Sequence, residues 1–471
     1  MPIEPVDAQS HARRSLVVMA NRLPVRQVQR GQNLTWEWSP GGLVSALAPV
    51  LTRSEGVWIG WNGRPGRTST SFQFEGIENL SVPLRTQEID DFYNGFSNRT
   101  IWPLYHDAVR WPEYHRIWWK PYVEVNRRFA EAAASVAAPK ATVWVHDYHF
   151  QLVPGMLREM RPDLKIGFFL HIPFPPQELF SQLPWRRQIL EGLLGSDVVG
   201  FQTRTAAQNF ARLARRYTAT GGNDRELRHK GRTIVPASFP ISIDFQHFDS
   251  LARTSAVNAR AQHLRRVLGG EGRRIILGVD RLDYTKGIDV RLKAFRELLR
   301  SKAVTIEDCV FVQCAVPSRE KVVQYADLKR RVEQTVGEIN GEFGSVGRVA
   351  VHYLHRNLPI EELVALYRLA DVMVVTPFRD GMNLIAKEYV ASRTENTGVL
   401  VLSEFAGAAQ ELRRALLVNP HDVDGIVSTL ERSLRLSQEE TRRRMRWLRR
   451  VVQKHDVFAW ADSFFEALKD G

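Results

Sequence analysis

Short, continuously apolar runs rich in β-branched residues recur along the chain. They are 16–21 (LVVMAN), 57–61 (VWIGW), 143–147 (VWVHD), 166–171 (IGFFLH), 198–203 (VVGFQT) and 233–239 (TIVPASF). A second series follows: 275–280 (IILGVD), 310–316 (VFVQCAV), 349–354 (VAVHYL), 372–377 (VMVVTP), 399–404 (VLVLSE) and 416–420 (LLVNP). Uninterrupted runs of this length predict strands buried on both faces, not half-exposed strands with alternating polarity. Amphipathic stretches such as 289–302 (DVRLKAFRELLRSK) and 360–370 (IEELVALYRLA) lie between them and predict helices. Strand–helix alternation implies βαβ units and parallel sheets. Two series predict an α/β fold of two doubly wound Rossmann-like domains, 15–243 and 244–455, after a flexible tail at 1–14. The stretch 239–251 (FPISIDFQHFDSL) is the expected linker. The insertion 31–51 (GQNLTWEWSPGGLVSALAPVL) reads as a hairpin, a Pro-Gly-Gly turn and a helix.

Composition narrows the class without changing this picture. The chain has 471 residues, 44% hydrophobic and 25% charged, as expected of a globular protein with more than one domain. No apolar run approaches the roughly 20 residues that span a bilayer, and residues 1–21 lack the pattern of a secretory leader, so a cytoplasmic location is expected. Cys309 and Cys314 lie on one predicted strand at an odd spacing, so their side chains point to opposite faces and a disulfide between them is not expected. Lys and Arg number 65 against 52 Asp and Glu, a formal charge of +13, which suits anionic partners. The dense cluster 441–450 (TRRRMRWLRR) alternates Arg with apolar residues and reads as a solvated helix face.

Chemistry concentrates at the carboxyl ends of the predicted strands, where open parallel sheets bind ligands. The ends carry Asn21-Arg22, His146-Asp147, His171 and Asp280-Arg281, and two more lead into Ser318-Arg319 and Arg379-Asp380. A cleft between two such domains would bring them together. In 374–393 (VVTPFRDGMNLIAKEYVASR), Gly381 permits close backbone approach, and the N–H groups of Met382, Asn383, Leu384 and Ile385 favour an anion at a helix start. Glu388, one turn further in, leans back toward that start and suits ribose hydroxyls. The same residues also fit an ordinary helix capped by Asp380 with Glu388 in solvent. In 278–287 (GVDRLDYTKG), Arg281 and Lys286 flank a turn after a strand and suit a diphosphate leaving group.

Other patterns carry less. The 422–424 (DVD) pair reads as a helix cap, and 146–149 (HDYH) lacks a third ligand at metal-site spacing. There is no Walker loop, no GxSxG elbow and no strand-borne GxGxxG.

Eight stretches, in order, resemble the trehalose-6-phosphate synthase family: 21–25 (NRLPV), 39–43 (SPGGL), 93–106 (YNGFSNRTIWPLYH), 144–158 (WVHDYHFQLVPGMLR), 167–180 (GFFLHIPFPPQELF), 280–287 (DRLDYTKG), 376–391 (TPFRDGMNLIAKEYVA) and 401–412 (VLSEFAGAAQEL). The resemblance runs from about residue 16 to the C-terminus. It implies the GT-B fold, an acceptor-binding first domain, a nucleotide-sugar-binding second domain, and a terminal helix (456–471) that crosses back to the first. It implies transfer of glucose from a nucleotide diphosphate sugar to glucose 6-phosphate, with retention and with neither metal nor other cofactor. On the donor side it assigns Arg281 and Lys286 to the diphosphate, Gly42 and the backbone of Met382, Asn383, Leu384 and Ile385 to the phosphate cradle, and Glu388 to the ribose. His171 and Asp380 would grip the transferred glucose. Arg22, Tyr93, Trp102 and Arg319 would bind the acceptor phosphate, with Asp147 near the acceptor sugar.

Two anionic substrates would also account for the basic charge, so neither nucleic acid nor membrane is an expected partner. Assembly with further copies of the chain is left open. The sequence departs from the family in 354–362 (LHRNLPIEE), where Leu358 and Ile360 replace a frequent aromatic and arginine beside the nucleobase, which opens the choice between UDP-glucose and GDP-glucose. A relative with another acceptor, such as a glucosylglycerol-phosphate synthase or a cyclitol-coupling enzyme, is the nearest alternative. A catalytically silent sugar-phosphate binder is disfavoured by the presence of Arg281, Lys286 and Asp380.

Overall fold

The computed structural model describes residues 13–30, 33–39, 44, 47–48, 51–52, 54–270, 272–318 and 323–470. Residues 1–12 of the expected tail, Gly42 with the Pro-Gly-Gly turn, and Arg319 lie outside them. The chain divides into two compact units: unit 1 runs to Pro240 and includes the segment from Phe458, and unit 2 is Ile241–Val457.

Unit 1 is built on one sheet whose strands, in chain order, are β1 (Arg14–Arg22), β4 (Val57–Trp61), β5 (Thr70–Phe74), β6 (Ile77–Ser81), β7 (Ala137–His146), β8 (Lys165–Phe169), β9 (Val198–Phe201), β10 (Gly221–Gly222), β11 (Leu227–His229) and β12 (Arg232–Ser238). A separate hairpin pairs β2 (Val25–Arg30) with β3 (Asn33–Trp38), so it begins ahead of the expected insertion. The spatial order of the sheet is β10-β11-β12-β9-β8-β7-β1-β4-β6-β5. β1 pairs in parallel with β4 on one side and β7 on the other, so the winding reverses at β1. The six sequence-predicted strands of this unit are all present. Missed were β5 and β6, where the sequence alternates or is polar, and the two- and three-residue strands β10 and β11, too short to show a pattern. Glu78 and Asn79 of β6 are nevertheless buried, Glu78 paired with Arg14 at 2.8 Å.

The Val457–Asp470 helix covers a face of this sheet. Phe464 stacks on Trp144 with ring centroids 4.5 Å apart. Gly167 and Gly200 make room for it, since a Cβ at either position would lie 2.6 or 2.7 Å from the Phe464 ring.

Unit 2 contains six parallel strands, β13 (Arg274–Arg281), β14 (Cys309–Val316), β15 (Val351–Leu354), β16 (Val372–Val375), β17 (Val399–Ser403) and β18 (Leu416–Val418), in the order β15-β14-β13-β16-β17-β18. All six were predicted. Here the winding reverses at β13, between β14 and β16. Both cysteines on β14 are buried and free. The expected linker is only partly irregular. Its second half forms the Phe245–Arg253 helix, because Asp244 caps it by accepting from the His247 N–H at 2.9 Å and because Phe245 and Phe248 are buried.

The basic cluster lies on the Gln438–Lys454 helix. Met445, Leu448 and Val452 face inward as expected, but Arg449 is also buried, where it pairs with Asp249 at 2.5 Å. The solvated-face reading therefore fails at that residue. The 422–424 stretch caps a helix, with Asp422 accepting from the Gly425 N–H at 2.9 Å. Among the described residues no helix is long and apolar enough to cross a membrane.

Candidate functional site

In unit 2 the chemistry gathers at the switch point beside β13. Arg281 is the last, exposed residue of that strand. The chain then makes a short turn held by buried Asp283. Its Oδ1 accepts from the Thr285 N–H and hydroxyl at 3.0 and 2.9 Å, and its Oδ2 accepts from the Tyr325 hydroxyl at 3.1 Å. The turn ends at Gly287, whose φ of 60° is left-handed and whose Cβ, were there one, would lie 2.2 Å from the Thr376 carbonyl. This close approach brings Lys286 to the loop after β16. The Phe378 N–H donates to the Thr285 carbonyl at 2.8 Å, and Lys286 Nζ reaches Asp380 Oδ2 at 2.5 Å.

Asp380 does not cap the following Leu384–Ser392 helix. Asn383 does, in a left-handed conformation (φ 82°), with its Oδ1 accepting from the Ala386 N–H at 3.1 Å. The Asn383 amide also donates to Asp380 Oδ2 at 3.1 Å. Asp380 thus serves the cluster and not the helix end, which corrects the simple-cap reading. A lysine, a carboxylate and the amino end of a helix meet at one place, with the backbone N–H groups after Met382 at its start.

Glu388 is not in open solvent either. Its Oε2 accepts from the hydroxyl of fully buried Tyr367 at 2.9 Å, and loss of water raises its pKa to about 7 despite that bond. Leu358, partly exposed, sits in the loop after β15.

Arg291 was missed, because it resembles any basic residue on an amphipathic helix. It is completely buried and lies 2.7 Å from Asp280 Oδ2. It donates to the Thr376 hydroxyl at 3.0 Å, the Val374 carbonyl at 3.0 Å and the Lys286 carbonyl at 2.7 Å. One side chain therefore ties β13, the lysine turn and the end of β16 together. Burial raises the Asp280 pKa, against the opposing pull of Arg291 and Lys286. A run of strand-flanking polar residues gives no signal for it. The one available clue is an arginine whose helical neighbours are all apolar.

In unit 1 the polar groups surround the ends of β1, β4 and β7. They line a cavity of about 380 Å³ that includes Asn21, Arg22, Trp61, His146, Asp147 and His149. The Arg22 guanidinium lies 4.2 Å from the Trp61 ring centre and 5.9 Å from that of Tyr93. Tyr93 stacks on His149 and stands on a π-helical segment, Ile89–Ile101, a geometry concentrated at functional sites. Trp102 follows that segment directly, buried, with its ring 4.2 Å from His106.

Asp147 has φ 76° and ψ 169°, a strained backbone for a residue with a side chain. Its Oδ1 accepts from the His171 N–H at 3.2 Å. The rings of His146 and His171 meet at 3.0 Å between Nδ1 and Nε2. Burial lowers both pKa values, that of His171 to about 3, and His171 depresses His146 further. Both rings are therefore neutral at physiological pH. In unit 1 Arg22 lies against Tyr93, and Asp147 holds the His171 backbone; in unit 2 Lys286, Asp380 and Asn383 meet, with Arg281 at the end of β13 and Glu388 on the helix that Asn383 caps.

This geometry has close counterparts. The model of glycosyltransferase family 20 matches residues 14–470. A trehalose-6-phosphate synthase of Mycolicibacterium gilvum (strain PYR-GCK) is 54% identical over 478 residues, covering 98% of this chain and 95% of that protein. An E. coli chain solved with bound UDP-2-fluoro glucose superposes with a TM-score of 0.89 at 33% identity, covering 96% of this chain and 98% of that one. A UDP-forming alpha,alpha-trehalose-phosphate synthase from Burkholderia xenovorans, solved with glucose-6-phosphate, gives 0.88 at 33% identity, covering 96% of this chain and 100% of that one. With a family model spanning nearly all of its length and two Rossmann-like units of the GT-B class, the chain belongs to glycosyltransferase family 20.

Proposed function

We propose that this protein is a trehalose-6-phosphate synthase, transferring glucose from a nucleotide diphosphate glucose, UDP-glucose or GDP-glucose, to glucose 6-phosphate with retention of configuration. The observation that carries the reading is the meeting of Lys286, Asp380 and Asn383 at a helix start, five residues after Arg281 at the switch point of unit 2. The names of the relatives support the synthase reading, and the ligands of the two solved structures are a UDP-glucose analogue and glucose-6-phosphate.

In this reading Arg281 and Lys286 hold the donor diphosphate and take up the charge that develops as the glycosidic C1–O bond breaks. The N–H groups of Asn383, Leu384 and Ile385 complete the cradle with Met382, joined by Gly42. Glu388 accepts from ribose hydroxyls. His171, neutral, and Asp380 bind hydroxyls of the transferred glucose. Arg22, Tyr93, Trp102 and Arg319 hold the acceptor phosphate, and Asp147 orients the acceptor sugar. The acceptor hydroxyl attacks the face that the diphosphate leaves, its proton passing to the departing phosphate oxygen while the new C1–O bond forms. No metal is required, because two cations and a helix start balance the leaving group's charge.

The test is nucleotide release in EDTA with glucose 6-phosphate and either UDP-glucose or GDP-glucose, the sugar product being identified by mass. A disaccharide phosphate with either donor supports the reading and names the base. Failure of both donors to turn over would overturn it.

A further inference from the structure

The sheet of unit 2 has a second charged end. At the amino termini of β13, β16 and β17 lies a cavity of about 540 Å³, within the range that holds one small ligand. Five arginines line it: Arg265, Arg274, Arg368, Arg393 and Arg442. Arg274 opens β13 and Arg281 closes it, so at about 3.3 Å per residue the two ends are roughly 23 Å apart. The cavity is therefore separate from the donor-side cluster.

Two carboxylates share this wall with the five arginines, leaving a formal charge of +3. Both are already engaged. Asp371 accepts from Arg265 at 3.1 Å, pairs with Arg274 at 3.4 Å and accepts from the Ile275 N–H at 2.8 Å. Glu395 pairs with Arg368. The surplus is real at individual atoms. Arg442 is exposed and has no ion-pair partner among the described residues. The buried Nε of Arg368 has no acceptor. Thr441 and Gln438 add a hydroxyl and an amide to the same wall.

We propose that this cavity is a second binding site, for a phosphorylated small molecule. Forked guanidinium groups match phosphate oxygens, and a concave wall of this volume fits a single ester with a sugar-sized body. An extended polyanion such as nucleic acid requires a long basic track, which this cavity lacks. The wall is also joined to the donor-side cluster through one residue. Arg393 donates to the Tyr367 carbonyl at 2.9 Å, and the Tyr367 hydroxyl donates to Glu388.

The test is calorimetric titration of the full chain with fructose 1,6-bisphosphate and, separately, with inorganic tripolyphosphate. Saturating UDP and glucose 6-phosphate keep the substrate sites occupied, and salt is held at about 0.15 M. One saturable site per chain is expected, weakened about tenfold or more in the Arg274→Glu/Arg442→Glu variant. A tighter fit for the bisphosphate assigns the site to sugar phosphates, and a tighter fit for tripolyphosphate assigns it to phosphate chains. If the double variant melts early, Arg442→Glu alone serves, since Arg442 makes no ion pair among the described residues. No binding of either probe, unchanged affinity in the variants, or binding of an oligonucleotide alone would each overturn the proposal.

Discussion

Lys286 Nζ and Asp380 Oδ2 lie 2.5 Å apart although 94 residues separate them, and both side chains are largely withdrawn from water. The pair pins the turn after β13 to the loop after β16. In the proposed reaction the lysine holds the diphosphate while the aspartate holds the sugar, so each fixes the position of the other. Lys286→Ala is expected to lower kcat by about 10²–10³-fold, the scale for losing a group aimed at developing charge. Arg281→Ala is expected to lower turnover far more than acceptor affinity. Steady-state kinetics with both substrates varied checks this, and near-normal turnover in either variant would contradict the leaving-group role.

Glu388 sets a pH dependence. Its folded pKa, about 7, lies above the ordinary value of 4.5. Between these values the folded chain binds more protons than the unfolded one, so the contribution of this group to stability is fully present below pH 4.5 and is lost as pH rises through 7. Donor binding runs the opposite way, because only the carboxylate accepts two ribose hydroxyls. The donor kcat/KM is therefore expected to rise through about pH 7. Glu388→Gln should flatten that limb and weaken the donor. A wild-type profile flat from pH 6 to 8, about one unit either side of the raised pKa, would remove Glu388 from ribose recognition.

In the proposed reading Leu358 lies beside the nucleobase. Replacement by Phe or Arg is expected to change the ratio of kcat/KM for UDP-glucose to that for GDP-glucose by about tenfold, equivalent to a difference of about 1.4 kcal/mol between the two bases. Equal ratios in wild type and both variants would place the nucleobase elsewhere.

Arg291 is expected to matter for stability before it matters for chemistry. Arg291→Ala leaves Asp280 buried without its ion pair, and such losses cost about 3–5 kcal/mol. Arg291→Met combined with Asp280→Asn should recover much of the loss, since the uncompensated charge is gone. Scanning calorimetry of the full chain distinguishes them. If the single variant melted no earlier than the double, the pair would not be the cause.

The parts of this molecule that the sequence displayed were those in which burial is uniform. All twelve predicted strands exist because strands covered on both faces require continuous apolar residues, whereas β6 (Ile77–Ser81) hides Glu78 and Asn79 inside the sheet and so reads as a loop. Arg281, Lys286, Asp380 and Glu388 were visible because strand ends are where polar residues interrupt an apolar pattern. Their mutual geometry was not. Asn383 as cap, Tyr367 as partner of Glu388 and Arg291 as internal tie depend on side chains from different elements meeting in space, and no local periodicity encodes such meetings. The buried face of the basic helix shows the same limit, since Arg449 is distinguishable from its exposed neighbours only once Asp249 is seen opposite it.

The packing of Phe464 against Trp144, in the space left by Gly167 and Gly200, means that the sheet of unit 1 is covered only after the C-terminal helix has been made. The ribosome delivers the sheet of unit 1 first and all of unit 2 next, and only then the helix that covers that sheet. Unit 2 can close on itself while unit 1 still carries an open aromatic face, so the first half of the chain is the last to mature. A nascent chain stalled before Phe464 would expose that face to chaperones, whereas one stalled before unit 2 is complete would expose two unfinished cores.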